Sequence, residues 1–365
     1  MPKLSKKKRQ ITDDPAPEQD SATESEKSLE DYEQNFPVQL HLFQYLQPDE
    51  KRYSNTVELY DFMPKYHWGK TERIAGKFLE SLDREFVCKN VKYKIEIAPA
   101  VIKDRDGVNR YYYPSKREEL VEDALRRFAT AKQGIFLDDR AGVTFSLYQL
   151  QQELRRNGHS YSKDQIKDAL LICAKTSITV TSADGTTVLV SNLFETLGLQ
   201  TREDWQGKGK KSKAFVRFNS LVTESIKNGS FRQLDYEKAM SYSSVIARQL
   251  HKRMSHHFIQ ASLTTRYEIR LSTIIRDFGL AEYERPSLNF RQVVKALDEM
   301  KEKEVILNYT VEKTTDPMNR NKLVDAKFTL LAHPHFANEI KNANARAGKI
   351  DREIGNRGRT LPNRK

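Results

Sequence analysis

The chain carries one pattern twice. From Val143 to Thr181, and again from Tyr267 to Thr310, it reads as a short strand, an amphipathic helix, a turn, a second amphipathic helix and an alternating apolar strand. Leu147, Leu150 and Leu154 in the first copy match Leu271, Ile274 and Phe278 in the second. Ile166, Leu170, Ile178 and Val180 then match Val293, Leu297, Val305 and Leu307 after a longer turn. Apolar residues spaced for a helix face, followed by apolar residues at every second position, confine each copy to two packed helices and a strand. Two such units side by side are the layout of tandem winged helices, in which the second helix of each pair enters a DNA groove. The expected fold class is α+β: two tandem winged helices with a smaller N-terminal α+β extension and disordered termini.

Local signals set the expected boundaries. Ser115 with Glu118, Ser146 with Gln149, and Ser162 with Gln165 are three capping boxes, each opening a helix. Gly158 falls where the first helix of a pair should stop, and Ala183 to Thr186 make a turn between the strands of a wing hairpin. The first unit is expected over 115–220 and the second over 221–340. Between them lie a glycine-rich basic loop, Trp205 to Lys213, and a returning strand at Phe215 to Phe218. A single long helix from about Asp235 to Gln260 should open the second unit, with Met240, Ala247, Leu250, Met254 and Phe258 inward and Arg248, Lys252 and His256 on the other face. The second wing, Val305 to Leu330, is expected to carry a basic tip at Arg320 and Lys322.

Residues 36–114 read as a small α+β region. Strands are expected at Thr56 to Phe62 and Lys92 to Ile97, with a helix through Ile74, Phe78, Leu79 and Leu82 between them. Its aromatic residues (Tyr60, Phe62, Tyr66, Trp68, Tyr111, Tyr112, Tyr113) are expected to fill a core rather than stack on bases. Residues 1–35 and 341–365 hold too few apolar side chains to offset the entropy of ordering, so both ends are expected to be disordered tails, the second one basic.

Charge narrows the partners. The 365 residues carry a net +12, but Thr12 to Gln34 alone contribute about −8 and the first eleven about +5, leaving about +15 on the remainder. Such an excess attracts polyanions through counterion release. No apolar run is long enough for a membrane span and no signal core follows the basic start, so a cytoplasmic protein is expected. Cys88 and Cys173 are far apart in sequence and are expected to be buried thiols, not a disulfide.

The second helix of each unit holds the candidate reading residues. In the later copy Phe290, Val293, Val294, Leu297 and Met300 form the apolar face, so Arg291, Gln292 and Lys295 point outward, flanked by Asn289 near the helix start. Arg, Gln and Asn bond bidentately to base edges, and Lys reaches guanine or phosphate. In the first copy the outward set is Asp164, Lys167, Asp168, Leu171 and Lys175, and two carboxylates facing phosphates weaken binding. That unit is expected to touch DNA less, through Ser160, Ser162 and Lys163 at the helix start and Lys167, or to serve partly as a protein contact through Leu171.

No catalytic constellation is present. Gly209-Lys210-Lys211-Ser212 lacks the spacing of a phosphate loop. His333-Pro334-His335 has a proline where the paired histidines of a rolling-circle nickase enclose an apolar residue, and no tyrosine follows Tyr309 to act as nucleophile. His256 and His257 are adjacent on a helix and do not face the same way, so a shared metal is not expected. No enzyme activity, cofactor or metal is assigned.

The repeat, Tyr113-Pro114-Ser115 before Glu118 to Leu125, and Ser244-Val245-Ile246-Ala247-Arg248-Gln249-Leu250 make the chain resemble plasmid replication initiators (Rep proteins) built from two tandem winged helices. Val57 to Trp68 also resembles segments of that family. The resemblance covers about Ser115 to Pro334 and departs from the family in its extended N-terminal region. It implies binding to repeated double-stranded sites at an origin, opening of an adjacent AT-rich stretch, and recruitment of a host initiator and helicase. It also implies a monomer–dimer equilibrium in which the second unit is the main DNA reader and the first combines dimerisation with DNA contact. The residues alone leave three rival readings: a winged-helix transcription regulator, a nickase, and an assembly protein that uses winged helices as protein contacts.

Overall fold

A computed structural model of the chain describes residues 52–69, 78–103, 106–137, 139–199, 214–280, 286–319 and 322–360, by backbone alone at 132, 137 and 353–360. The expected tail 1–35, the basic loop from Trp205 to Lys213 and the wing-tip Arg320 lie outside the described residues. β1 (Tyr53–Thr56) is followed by α1 (Glu58–Phe62). A strand over 56–62 is what alternation predicts, but Asp61 Oδ2 accepts the Val57 N–H at 2.6 Å and is held by Arg126 Nη2 at 2.8 Å, which closes a helical turn instead. Then come β2 (Leu82–Cys88), β3 (Val91–Ala98), β4 (Ala100–Lys103) and β5 (Asn109–Tyr112). Of the expected intervening helix, Ile74 lies outside the described residues, Phe78 and Leu79 are not helical, and Leu82 opens β2.

α2 (Lys116–Phe128) runs into a π-helical turn, Ala129–Gln133, then β6 (Gly134–Leu137), β7 (Arg140–Phe145), α3 (Leu147–Arg156), α4 (Lys163–Lys175), β8 (Ser177–Ser182), β9 (Val188–Asn192), β10 (Phe194–Leu199) and β11 (Ala214–Phe218). All three expected capping boxes are formed. The hairpin β8–β9 is where the sequence places a wing. Its sheet, however, is β2-β3-β8-β9, so the N-terminal hairpin completes it; β7 pairs instead with β6 and β11 in a second sheet, β10-β11-β7-β6.

The chain continues through α5 (Ser220–Lys227), β12 (Arg232–Asp235, paired with β1), α6 (Tyr236–Ser241), α7 (Val245–His257), β13 (Arg266–Arg270), α8 (Leu271–Asp277), α9 (Pro286–Glu302), β14 (Ile306–Asp316), β15 (Lys322–Ala332) and α10 (Pro334–Thr360). The single helix expected over 235–260 is broken at Tyr242–Ser244. Glu299 of α9 accepts the N–H groups of Ser243 (2.6 Å) and Ser244 (2.9 Å), and the Ser244 hydroxyl caps α7 at Ala247 N. Backbone donors that would continue a helix are thus taken by a carboxylate from another element. Here β13, β15 and β14 form one three-stranded sheet behind the helix pair. The register assumed for Leu307 fails: a bulge between Ile306 and Asn308 buries Ile306 and leaves Leu307 48 % exposed.

Two apolar cores result. One gathers Val57, Tyr60, Phe62 and Tyr66 with Phe86, Ile95, Leu120, Leu150, Leu154, Ile166, Leu170 and others through Met240; the second runs from Tyr242 to Ile340. The aromatic residues Tyr60, Phe62 and Tyr66 are core, as expected, and both cysteines are buried free thiols. The stretch after 340 departs from the tail expected of its composition: α10 carries it back across the molecule, and Ile350 is buried in the first core. The described residues belong to one compact unit, α+β in class with open sheets.

Candidate nucleic-acid interface

α9 follows α8 as the second helix of a helix pair, and its burial fixes which side chains can be read from outside. Asn289, Val293, Ala296, Leu297 and Met300 recur at three- and four-residue spacing and are buried; Arg291, Gln292 and Lys295 are exposed along the opposite side. Pro286 opens the helix, where the missing N–H costs nothing. Phe290 stacks on Phe328 of β15 at 5.8 Å, which fixes the helix against its sheet. The exposed Asp298, one turn beyond Lys295, accepts a hydrogen bond from Tyr309 Oη at 2.8 Å and puts a carboxylate on the helix surface there.

The hairpin β14–β15 stands beside this helix. Lys322 is exposed near its tip, as is Met318 at 96 %. Lys313 Nζ lies 4.9 Å from the centroid of the Phe290 ring, a cation over an aromatic face next to the start of α9. Arg266 and Arg270 project from β13, the latter 3.8 Å from Asp325, whose carboxylate also takes the Ser272 N–H and hydroxyl at the start of α8.

In the first unit α4 is arranged differently. The Ser162 hydroxyl accepts the Gln165 N–H at 3.1 Å, so its oxygen is engaged in capping. Lys163 and Lys167 are exposed but alternate with exposed Asp164 and Asp168. At the far end Lys175 Nζ donates to Val101 O at 3.2 Å, which places the β4–β5 hairpin against the helix. Leu171 is half-buried and Ile172 fully so.

No family model matches the chain, and no curated protein matches it. Ten solved chains are similar, among them the following three. The selenomethionine form of domains 2 and 3 of RctB is 11% identical, with 73% of this chain and 94% of that one covered and a TM-score of 0.44. A second structure of RctB domains 2–3 is 10% identical, with 74% and 98% covered and a TM-score of 0.43. The Pi initiator protein in complex with iteron DNA is 12% identical, with 60% and 91% covered and a TM-score of 0.40.

Three residues expected at the DNA are elsewhere: Asn289 from the reading helix, and Arg248 and Lys252, whose outward face on the long helix makes them candidate DNA contacts in the sequence. Asn289 is 1 % exposed: its i,i+4 relation to Val293 puts it at the head of the buried stripe. Arg248 is 0 % exposed and Lys252 is buried with it. Arg248 donates to Glu119 Oε2 from Nε (3.0 Å) and Nη2 (2.7 Å), Gln249 Nε2 reaches Glu119 Oε1 at 2.6 Å, and Lys252 Nζ lies 3.2 Å from Glu119 and 2.7 Å from Asp123. Burial would raise the Glu119 pKa, but Arg248 and Lys252 outweigh it and hold the carboxyl down at about 2. These cations therefore join α7 to α2, and no phosphate can reach them. Cations at i and i+4 on α7 facing carboxylates at i and i+4 on α2 were a legible signal. Lys313 was missed because the bulge in β14 resets which strand residues face the helix.

Proposed function

We propose that the chain is a sequence-specific double-stranded-DNA-binding protein that initiates plasmid replication, with two winged helices of which the second is the main reader. The observation that carries this reading is the exposed set Arg291, Gln292 and Lys295 on one face of α9, in a helix pair whose sheet ends in a hairpin bearing the exposed Lys313 and Lys322. A guanidinium and an amide that bond bidentately to base edges are placed together, with amines beside them for phosphate. The expected role of the first unit is weaker contact through Lys163 and Lys167. Binding of repeated origin sites, opening of an AT-rich stretch, recruitment of a host initiator and helicase, and a monomer–dimer equilibrium belong to the same proposal, and rest on the family resemblance carried by Tyr113 to Leu125 and Ser244 to Leu250.

Footprinting on the DNA that flanks the chain's own gene tests it. Repeated protected sites next to an AT-rich tract are expected. A single protected palindrome at a promoter would point to a transcription regulator instead, and failure to retard any duplex at low salt would remove the reading altogether.

A further inference from the structure

Glu304, His333 and His335 come together at the base of the β14–β15 hairpin, away from the wing tip. We propose that they form a site for a divalent transition-metal ion, zinc by preference, that clips the end of α9 to the start of α10. Their ligand atoms all lie within 4.8 Å of one another. His335 Nδ1 is 2.7 Å from Glu304 Oε2, and the two imidazoles meet edge to face with centroids 4.8 Å apart.

The backbone positions are fixed by the fold. His333 N–H donates to Val305 O at 3.0 Å, and His333 O in turn accepts the Ala337 N–H at 3.0 Å, which starts α10 behind Pro334. Glu304 sits where a helix ends in the left-handed conformation, with φ of 57°. Val305 N–H bonds back to Met300 O and Glu304 N–H to Lys301 O, both at 3.0 Å, a termination that ordinarily selects glycine. The two helices that precede the turns of the helix pairs do use glycine there, at Gly158 and Gly279. At the end of α9 the chain instead carries a residue that costs conformational energy there and supplies a carboxylate.

Two imidazoles and a carboxylate are the donor set of zinc and its neighbours, not of magnesium or calcium, which prefer all-oxygen sites. Zinc takes such ligands at roughly 2.0–2.2 Å, and Glu304 and His335, the two exposed members, have side chains free to close on an ion seated beside the half-buried His333. The proton between His335 and Glu304 leaves to solvent as the metal enters. Both thiols are buried, so they do not compete.

Calorimetric titration of the untagged full-length chain with zinc chloride tests the site. One zinc ion per chain is expected. H335A, H333A and E304G should each weaken binding at least as much as the roughly 10–100-fold that loss of a group behind a ligand costs. E304G should melt at or above the parent temperature without metal, so its loss of binding would not reflect misfolding. A parent that takes up no zinc, or variants that bind it as tightly as the parent, would overturn the site. Neither outcome depends on whether the chain binds DNA.

Discussion

Residue by residue, the charges divide into those that hold the fold and those that face outward. Arg248 has no water to fall back on, so R248A leaves Glu119 buried with fewer partners and should cost about 3–5 kcal/mol in urea unfolding. Arg291 and Gln292 stand clear of the core. Replacing either by alanine should leave stability nearly unchanged while weakening binding by about 1–3 kcal/mol at one base position, whereas K322A should weaken all sequences alike and flatten the salt dependence by about one unit. Competition binding with single-base variants of the footprinted site separates the two patterns. Acid should expose another residue. His256 Nε2 is 2.7 Å from Thr56 Oγ1, and burial depresses its pKa to about 3. The unfolded chain takes up that proton near pH 6.5 and the folded chain does not, so stability falls as pH drops from about 6.5 towards 3. His67, His159, His257 and His333 shift in the same direction, so H256Q should reduce the slope of melting temperature against pH without abolishing it. An unchanged slope would remove His256 from this account.

For the elements, legibility follows the range of the interaction that fixes them. The starts of α2, α3 and α4 were readable because a capping box closes within four residues. Both helix pairs and both hairpins follow from apolar spacing in the same way. The strand β7 could be read as a strand but not paired, since its partner β11 lies beyond a long connector. The break before α7 was invisible because the group that makes it, Glu299, is more than fifty residues away in sequence. Asn289 shows the opposite case: its i,i+4 spacing to Val293 places it on the buried stripe although its side chain is polar. α10 was misread from composition, because a helix rich in Asn, Arg and Lys needs only a few apolar contacts when a neighbour supplies the rest. I350A should cost about 2–5 kcal/mol if that packing is as described, a loss that a free tail would not register. At the end of α9, E304G should raise stability by about 1 kcal/mol through relief of the left-handed conformation.

Across the whole molecule, the segment from Tyr53 to Trp68 and the ion cluster between α2 and α7 tie the two cores together. Trp68 Nε1 donates to Phe278 O at 2.6 Å, and Phe62 stacks on His257 at 4.9 Å. The chain should therefore unfold in one calorimetric transition, with calorimetric and van't Hoff enthalpies in agreement. Two resolved transitions would mean that the buried ions do not couple the cores. A charged surface was legible from the net +12, but not which cations reach it, because complementarity across about 130 residues leaves no local trace.

The course of the chain has one more consequence. β11 lies between β10 and β7, β12 pairs with β1, and Arg346 of α10 reaches Asn55 Oδ1 at 3.3 Å. Sequence neighbours and spatial neighbours are interleaved, so a protease cut between Leu199 and Ala214 would sever the polypeptide without dividing the body. The two pieces should elute together from a sizing column and part only in denaturant, and, made separately, each would be the missing complement of the other.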